Sequence, residues 1–520
     1  MVHEFNELIL QARRAIGSND WAAVARIAAD IQFRFPQKAD GPYLAAMAER
    51  KFGRAEKAAQ YYEHALQLDV SRYDIAIEFA QHCLSLNRYP QARTLLSEYV
   101  ERADGSPVYL DMAGQVYSAM GLYELAWPLY ERALEIQPQV EIVQMHKAAC
   151  AVYLGKIDEA RAIYRGIVAK TPGHQRAHFE LAQLDRARDR SHIDEMEKAL
   201  KTGSSKPSDN IFLYYALGKE YEDLEDWSAA FDYFERAGSA VKSVSKYDVA
   251  EDVELIDAII ENCSAEWLVD GKSTDAKGKT PVFVVGLPRT GTTLTDRILS
   301  AHSHVQSAGE SQLMQMVLRG GTRAGNQIGI TIEQIRAAAN RDPAAIAEAY
   351  MSAIEHRLDD APYFVEKLPE NVLYLGFVAK AWPQARIVHL RRHPMDACFA
   401  LFKQSYFRFA YSLDDLAEYY LAYDRLTRHW REALGSRMIE VAYEDIVTDQ
   451  ERQTRRLLDY LGLEFEEACL NFDTNDKPVA TASSVQVREK VHTRSVDKWR
   501  NFAAQLAPLY EKLKSGGVEF

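Results

Sequence analysis

The sequence predicts a chain of two architectures: an all-α solenoid of helical repeats over residues 1–262, a linker over 263–280, and an α/β domain with a central parallel sheet over 281–520. Three observations predict it. Positions in the first half recur at a fixed interval of about 34 residues. A polar Gly/Ser/Lys stretch without periodicity precedes residue 280. From 281 onward, short buried-strand patterns alternate with helical ones, as in a parallel sheet flanked by helices.

In the first half, Gly53, Asn87, Gly121 and Gly155 share that interval, as do Ala58, Ala92, Ala126 and Ala160, and Tyr62, Leu96, Tyr130 and Tyr164. The spacing has a mechanical sense. A turn-forming residue ends one helix, a small residue five later lets two helices approach, and a larger side chain four further on fills the gap between them. Pro138 and Pro172 close units because proline cannot continue a helix. A weaker early copy keeps phase at Asn19 and Pro36, with Val24 and Ala28 at the packing positions. A late copy shows Ala230, Phe234 and Ala237 after Trp227, and His174 to Thr202 is degenerate, giving six or seven units. The array resembles the tetratricopeptide repeat (TPR) family. That resemblance implies a solenoid gripping an extended peptide or protein, or else a scaffold that props up or dimerises its neighbour. The linker reading rests on Gly271, Lys272, Ser273, Thr274, Asp275 and Lys277 to Lys279.

Composition bounds the partners. The net charge is −13 with a pI near 5.6, which gives no support to a nucleic-acid binder, so an anion site has to be local. Cys83, Cys150, Cys263, Cys398 and Cys469 are scattered and odd in number, indicating neither a disulfide framework nor a zinc site. No run approaches 18 apolar residues and the first residues lack a signal-peptide core. No membrane span is therefore expected, and a reducing cytoplasm is the simplest location.

The second half opens on Pro281 to Glu310, PVFVVGLPRTGTTLTDRILSAHSHVQSAGE. Val282 to Val285 read as a buried strand, Gly286 to Gly291 as a tight turn, and Thr292 onward as a helix with Leu294, Ile298 and Leu299 on one face. Amides of a turn at a helix N-terminus have no partner inside the helix, and with the helix dipole they favour an anion. Gly286 and Gly291 keep the spacing of a nucleotide phosphate loop, but Thr292 stands where that loop requires lysine, and the cation lies instead at Arg289. That loss argues against nucleotide hydrolysis.

The segment Pro288, Arg289, Thr290, Gly291, Thr292, Thr293, Leu294 resembles the 5′-phosphosulfate loop of sulfotransferases that use PAPS (3′-phosphoadenosine 5′-phosphosulfate), and is most similar to the tyrosylprotein sulfotransferase branch, which has serine where Thr290 stands. The resemblance implies further roles. Glu310, 21 residues after Arg289, matches the base that takes the acceptor proton, with His302 in reserve; a positioned base contributes on the order of 10² to 10⁴ in rate. Lys367, after the short strand Tyr363 to Val365, matches the lysine set against the transferring group. Arg392, ending the strand Arg386 to Leu390 ahead of a helix opened by Pro394, matches the 3′-phosphate arginine, although Ala400 stands where the family has serine. Tyr443, after the strand Met438 to Val441, matches the adenine-side tyrosine. Ser483, Gln486, Lys498 and Trp499 keep the register of the closing loop, with Ser483 implied as a catalytic donor and Arg488 and Lys490 adding charge for the 3′-phosphate. Gly320 to Gly329 reads as a mobile loop and Thr331 to Arg357 as helices bearing Ile335, Ile346 and Ile354.

The expectation is sulfuryl transfer from PAPS, leaving PAP, to a hydroxyl by in-line displacement without a metal. A peptide or protein tyrosine held by the repeats is favoured as acceptor, and carbohydrate and lipid hydroxyls stay open. Two alternatives are a phosphate-loop phosphotransferase, and a repeat scaffold whose second domain binds PAP or PAPS without turnover.

Overall fold

The computed structural model describes residues 2–269, 278–320, 329–472 and 491–520. Helices run in consecutive pairs from Val2–Gly17 and Trp21–Arg34 to Ile211–Asp223 and Trp227–Lys242, seven pairs among the described residues. The turn inside five of these pairs carries a left-handed residue: Asn19, Gly53, Asn87, Gly121 and Gly155 have φ between 60° and 78°. Glycine and asparagine are the residues that reach this region most cheaply, which is why the interval is visible in the sequence. Glu225 (φ 64°) makes the same turn in the last pair. Ala58, Ala92, Ala126 and Ala160 are fully buried, with Tyr62, Leu96, Tyr130 and Tyr164 beside them. The intimacy of these contacts is measurable, since a Cβ on Gly114 would lie 2.6 Å from the Tyr130 ring and one on Gly218 2.7 Å from Phe234.

The chain packs as two compact units, residues 2–154 and residues 155–320 with 329–520. The second unit therefore holds the last repeat-type helices together with the α/β domain. Their contact is aromatic: Phe231 stacks on Phe402 at 5.7 Å, Phe234 meets Phe399 edge-on at 6.4 Å, and Trp227 meets Phe502 at 5.4 Å. The helix Val249–Asn262 packs along Leu413–Leu434. Of the stretch read as linker, 270–277 lies outside the described residues, as does 321–328 of the Gly320 to Gly329 reading.

The sheet has five parallel strands in the order β2-β3-β1-β4-β5, with β1 Thr280–Gly286, β2 Val305–Gly309, β3 Tyr363–Glu366, β4 Arg386–Arg391 and β5 Met438–Ala442. Central β1 is apolar and buried from Val282 to Val285. Four strands match the sequence expectation, and β2 is a fifth. Its VQSAG run lacks an apolar signature because it lies at the sheet edge, where Gln306 is satisfied by the backbone of Asp359. Thr331 to Arg357 holds the helices Ile332–Ala339 and Pro343–Ile354, which bury Ile335, Ile346 and Ile354. The carboxyl ends of β3, β1 and β4 stand side by side, the position where open sheets of this kind bind ligands.

Candidate active site

The turn after β1 is shaped by two glycines. A Cβ on Gly286 would meet the Leu390 carbonyl oxygen at 2.5 Å. Gly291 has φ +95°, and a Cβ there would lie 2.7 Å from Cδ2 of Tyr443, the residue that follows β5. Between them Thr290 Oγ1 donates to the Leu287 carbonyl at 2.6 Å, closing the loop. Arg289 takes φ +68°, a left-handed conformation that costs an L-residue with a Cβ roughly 1–2 kcal/mol. Gly291 is the N-cap of the helix Thr292–Ser300, whose first turn, Thr292 to Leu294, therefore directly follows the loop.

Arg392, just past β4, reaches this loop. Its Nη1 donates to the Arg289 carbonyl at 2.9 Å and its Nη2 to the Ser495 carbonyl at 2.5 Å, while the guanidinium lies over the Tyr443 ring at 5.0 Å. Its Nε is buried without a hydrogen-bond partner. Burial depresses the Arg289 guanidinium below its ordinary range, and the like charge of Arg392 works the same way against Tyr406 and Tyr443. Two neighbouring cations, a buried Nε donor and a helix start at Gly291 make a cradle that fits a phosphate or sulfate group.

A second group sits at the adjacent strand ends. Glu310 follows β2 and Lys367 follows β3, so parallel pairing brings them together, and Lys367 Nζ bonds Glu310 Oε1. The lysine side chain is 1 % exposed and the glutamate 34 %, so the carboxylate is the end that solvent or an acceptor reaches. Both lie near Asp296, one turn into the loop helix. Asp296 accepts from Ser307 Oγ at 3.0 Å and keeps one buried carboxylate oxygen without a partner. Burial raises its carboxyl above the ordinary range, although Lys367 pulls it down. Next to Lys367, fully buried Glu366 accepts from Ser311 N, Ser311 Oγ and Tyr350 Oη, at 3.2, 2.9 and 2.7 Å. Burial pushes it up to about 7 against those hydrogen bonds. Asp296 and Glu366 escape the sequence reading. The one available signal for Glu366 is an acid inside the apolar strand YFVE.

Among the remaining expected residues, Pro288 lies in the loop, and Ser483, Gln486, Arg488 and Lys490 lie outside the described residues. Lys498 turns toward the repeat-type helices. Its Nζ is 3.1 Å from Glu222 Oε1, a carboxylate it shares with Lys403 at 2.7 and 2.9 Å. Burial draws Lys403 down to about 8, although Glu222 opposes it. The segment before Lys498 is pinned to the helix after β4, where Asp396 accepts from the amides of Asp497 and Trp499 at 2.7 and 2.9 Å. His302 has both ring nitrogens engaged, Nε2 with the Glu464 carbonyl and Nδ1 with the His304 amide, which makes it a structural residue.

Helical repeats followed by an α/β domain with a glycine-shaped loop after its central strand define a two-part protein with a cluster of charged side chains at the strand ends. The particular class follows from comparison: residues 281–467 match the sulfotransferase family, and residues 50–116 and 108–140 match tetratricopeptide repeats, so the chain joins TPR repeats to a sulfotransferase-family domain. An uncharacterized protein of Aquifex aeolicus (strain VF5) is 27 % identical over 436 residues, 81 % of this chain and 56 % of its own length. Protein-tyrosine sulfotransferase 1 of Danio rerio is 24 % identical over 241 residues, 42 % of this chain and 65 % of its own. The chain thus spans between about half and two thirds of the length of these relatives. The sulfotransferase domain from the Synechococcus PCC 7002 olefin synthase aligns at 23 % identity over 48 % of this chain and 98 % of that one, with a TM-score of 0.37.

Proposed function

We propose that the protein is a PAPS-dependent sulfotransferase acting on a hydroxyl, with a tyrosine in a peptide or protein as acceptor. The observation that carries this reading is the pairing of Glu310 with Lys367 at neighbouring strand ends, beside the helix that opens at Gly291 after the glycine-shaped loop. PAPS supplies the sulfuryl group and leaves as PAP. Arg289 and the amides of Thr292 to Leu294 hold the anionic end of the donor, while Arg392 and Tyr443 fix the loop and add charge and an aromatic face for the rest of it. Glu310 takes the proton of the acceptor hydroxyl. Lys367, already beside Glu310, meets the negative charge that develops on the bridging oxygen. Ser483 adds a hydroxyl donor to the sulfuryl group, and Gln486, Arg488 and Lys490 belong to the closing segment on the 3′-phosphate side, whereas Lys498, expected there from the sequence, is drawn away by its ion pair with Glu222. The likeness to protein-tyrosine sulfotransferases favours the phenol, and the TPR repeats, a module class that binds proteins, bring the acceptor protein. The cytoplasm suits five buried free thiols, and among the described residues no helix is long and apolar enough to cross a membrane.

The test is transfer of labelled sulfate from PAPS into a peptide library, with PAP affinity measured by calorimetry on the same samples. Glu310→Gln is expected to lower kcat by roughly 10²–10⁴ with PAP affinity within about twofold of the parent. Arg289→Ala is expected to weaken PAP at least about tenfold, the scale of one lost charge-assisted contact. Variants that transfer as well as the parent would overturn these roles. PAP binding without transfer to peptide, carbohydrate or lipid hydroxyls would favour a binding scaffold.

A further inference from the structure

The 34-residue pattern lapses between His174 and Thr202, and the structure places an unusual polar cluster there. His178, on the helix Gln175–Leu184, and His192, on the helix Ser191–Thr202, are buried at 0 % and 5 % exposure with rings 5.1 Å apart. His178 Nδ1 lies 2.9 Å from His192 Nε2. The outer nitrogens settle the tautomers. His178 Nε2 is 2.9 Å from the Pro172 carbonyl, which can only accept, so Nε2 carries hydrogen. His192 Nδ1 is 2.6 Å from Glu220 Oε1, and with that carboxylate ionised Nδ1 carries hydrogen. In neutral rings the two inner nitrogens then present lone pairs to each other. A contact of 2.9 Å between two lone pairs requires a cation: a proton that charges one ring, or a metal ion.

Two features favour the metal. Glu195 lies one turn after His192, and a carboxylate oxygen of Glu195 comes within 4.8 Å of a ring nitrogen of each histidine, supplying a third ligand atom. The backbone carbonyl on one imidazole and the carboxylate on the other are the outer contacts that orient metal-bound histidines and fix the tautomer.

We propose that His178 Nδ1, His192 Nε2 and the Glu195 carboxylate form a structural site for a divalent zinc-like ion, with solvent in the fourth position. Two imidazoles and one carboxylate suit zinc and its first-row neighbours better than magnesium or calcium. Metal–nitrogen bonds of about 2.0–2.1 Å at a tetrahedral angle need the inner nitrogens about 3.3 Å apart, so loading opens the pair by a few tenths of an ångström. Glu195 exchanges its contact with Arg165, now at 3.2 Å, for the ion, and any proton held between the rings is released. The ion staples the two helices of the degenerate repeat and, through Glu220, tethers the helix Ile211–Asp223.

The test uses untagged full-length protein, stripped with chelator and titrated with zinc by calorimetry and with cobalt(II) by visible spectroscopy. One equivalent is expected to bind, with the intense d–d bands of a four-coordinate site. At zinc about 100-fold over its Kd, the folded-to-unfolded ratio of this unit rises about 100-fold, read as an increase in Tm. Glu195→Gln, on an exposed residue that leaves folding intact, is expected to weaken zinc at least tenfold, and His178→Gln to abolish the cobalt bands. Absence of stoichiometric binding, or binding that survives both substitutions, would overturn the site and leave the pair holding a proton.

Discussion

Replacing Gly291 by alanine tests how tightly the anion loop is tied to the residue after β5. Two costs can be read from the geometry. At φ +95° an alanine occupies the left-handed region, at roughly 1–2 kcal/mol. Its Cβ would also sit 2.7 Å from Tyr443 Cδ2, well inside carbon–carbon contact, so the ring has to swing at a further cost of about 1–3 kcal/mol. Moving that ring disturbs the guanidinium of Arg392 above it, a contact worth about 0.5–1 kcal/mol. The single substitution is therefore expected to cost about 2.5–6 kcal/mol in urea unfolding and to weaken PAP at least tenfold by calorimetry. With Tyr443→Ala already in place the clash is gone, and Gly291→Ala is expected to cost only the backbone part, about 1–2 kcal/mol. An equal penalty in both backgrounds would refute the packing argument, and unchanged PAP affinity would refute the loop's assignment.

Two further substitutions probe buried charge. Glu366 in the folded protein stands at about 7, raised from 4.5, so the native state binds more protons than the unfolded state between those values. The stability it lends is full below about 4.5 and lost as pH rises through about 7, in total about 3 kcal/mol. Urea midpoints of the parent are expected to fall more steeply over that window than those of Glu366→Gln, and parallel curves would contradict the assignment. Glu222→Gln strips the counter-charge from Lys403 and Lys498, an expected loss of about 3–5 kcal/mol in unfolding free energy. Adding Lys403→Met is expected to recover most of it, and failure to do so would point away from unpaired charge as the cause.

Much of the fold was legible because its constraints are local. A left-handed turn accepts few residue types, so Gly53, Asn87, Gly121 and Gly155 mark the repeats by themselves, and the run from Val282 to Gly291 carries strand, turn and helix start in ten residues. Glu225 makes the same turn without advertising it, and strand β2 stayed hidden because an edge strand needs no apolar run. The site was legible where spacing reflects strand ends, as for Glu310, Lys367 and Arg392. It was not legible where the partner is remote in sequence: nothing around Lys498 points to Glu222, and nothing between His178 and His192, 14 positions apart, announces that their rings meet. Asp296 and Glu366 were missed because an acid's burial depends on neighbours from other strands.

The aromatic and ionic contacts of the Ile211–Asp223 and Trp227–Lys242 helices bear on where this polypeptide can be divided. Cleavage anywhere between 263 and 280 would part Phe231 from Phe402, Phe234 from Phe399, and Glu222 from both of its lysines, leaving a greasy, charge-unbalanced scar on each piece. A cut after residue 154 would leave these contacts whole but would split the pair Glu141–Tyr153 and Ile157–Lys170 at its Gly155 turn, so the helices from Ile211 to Lys242 are permanent fittings of the α/β domain.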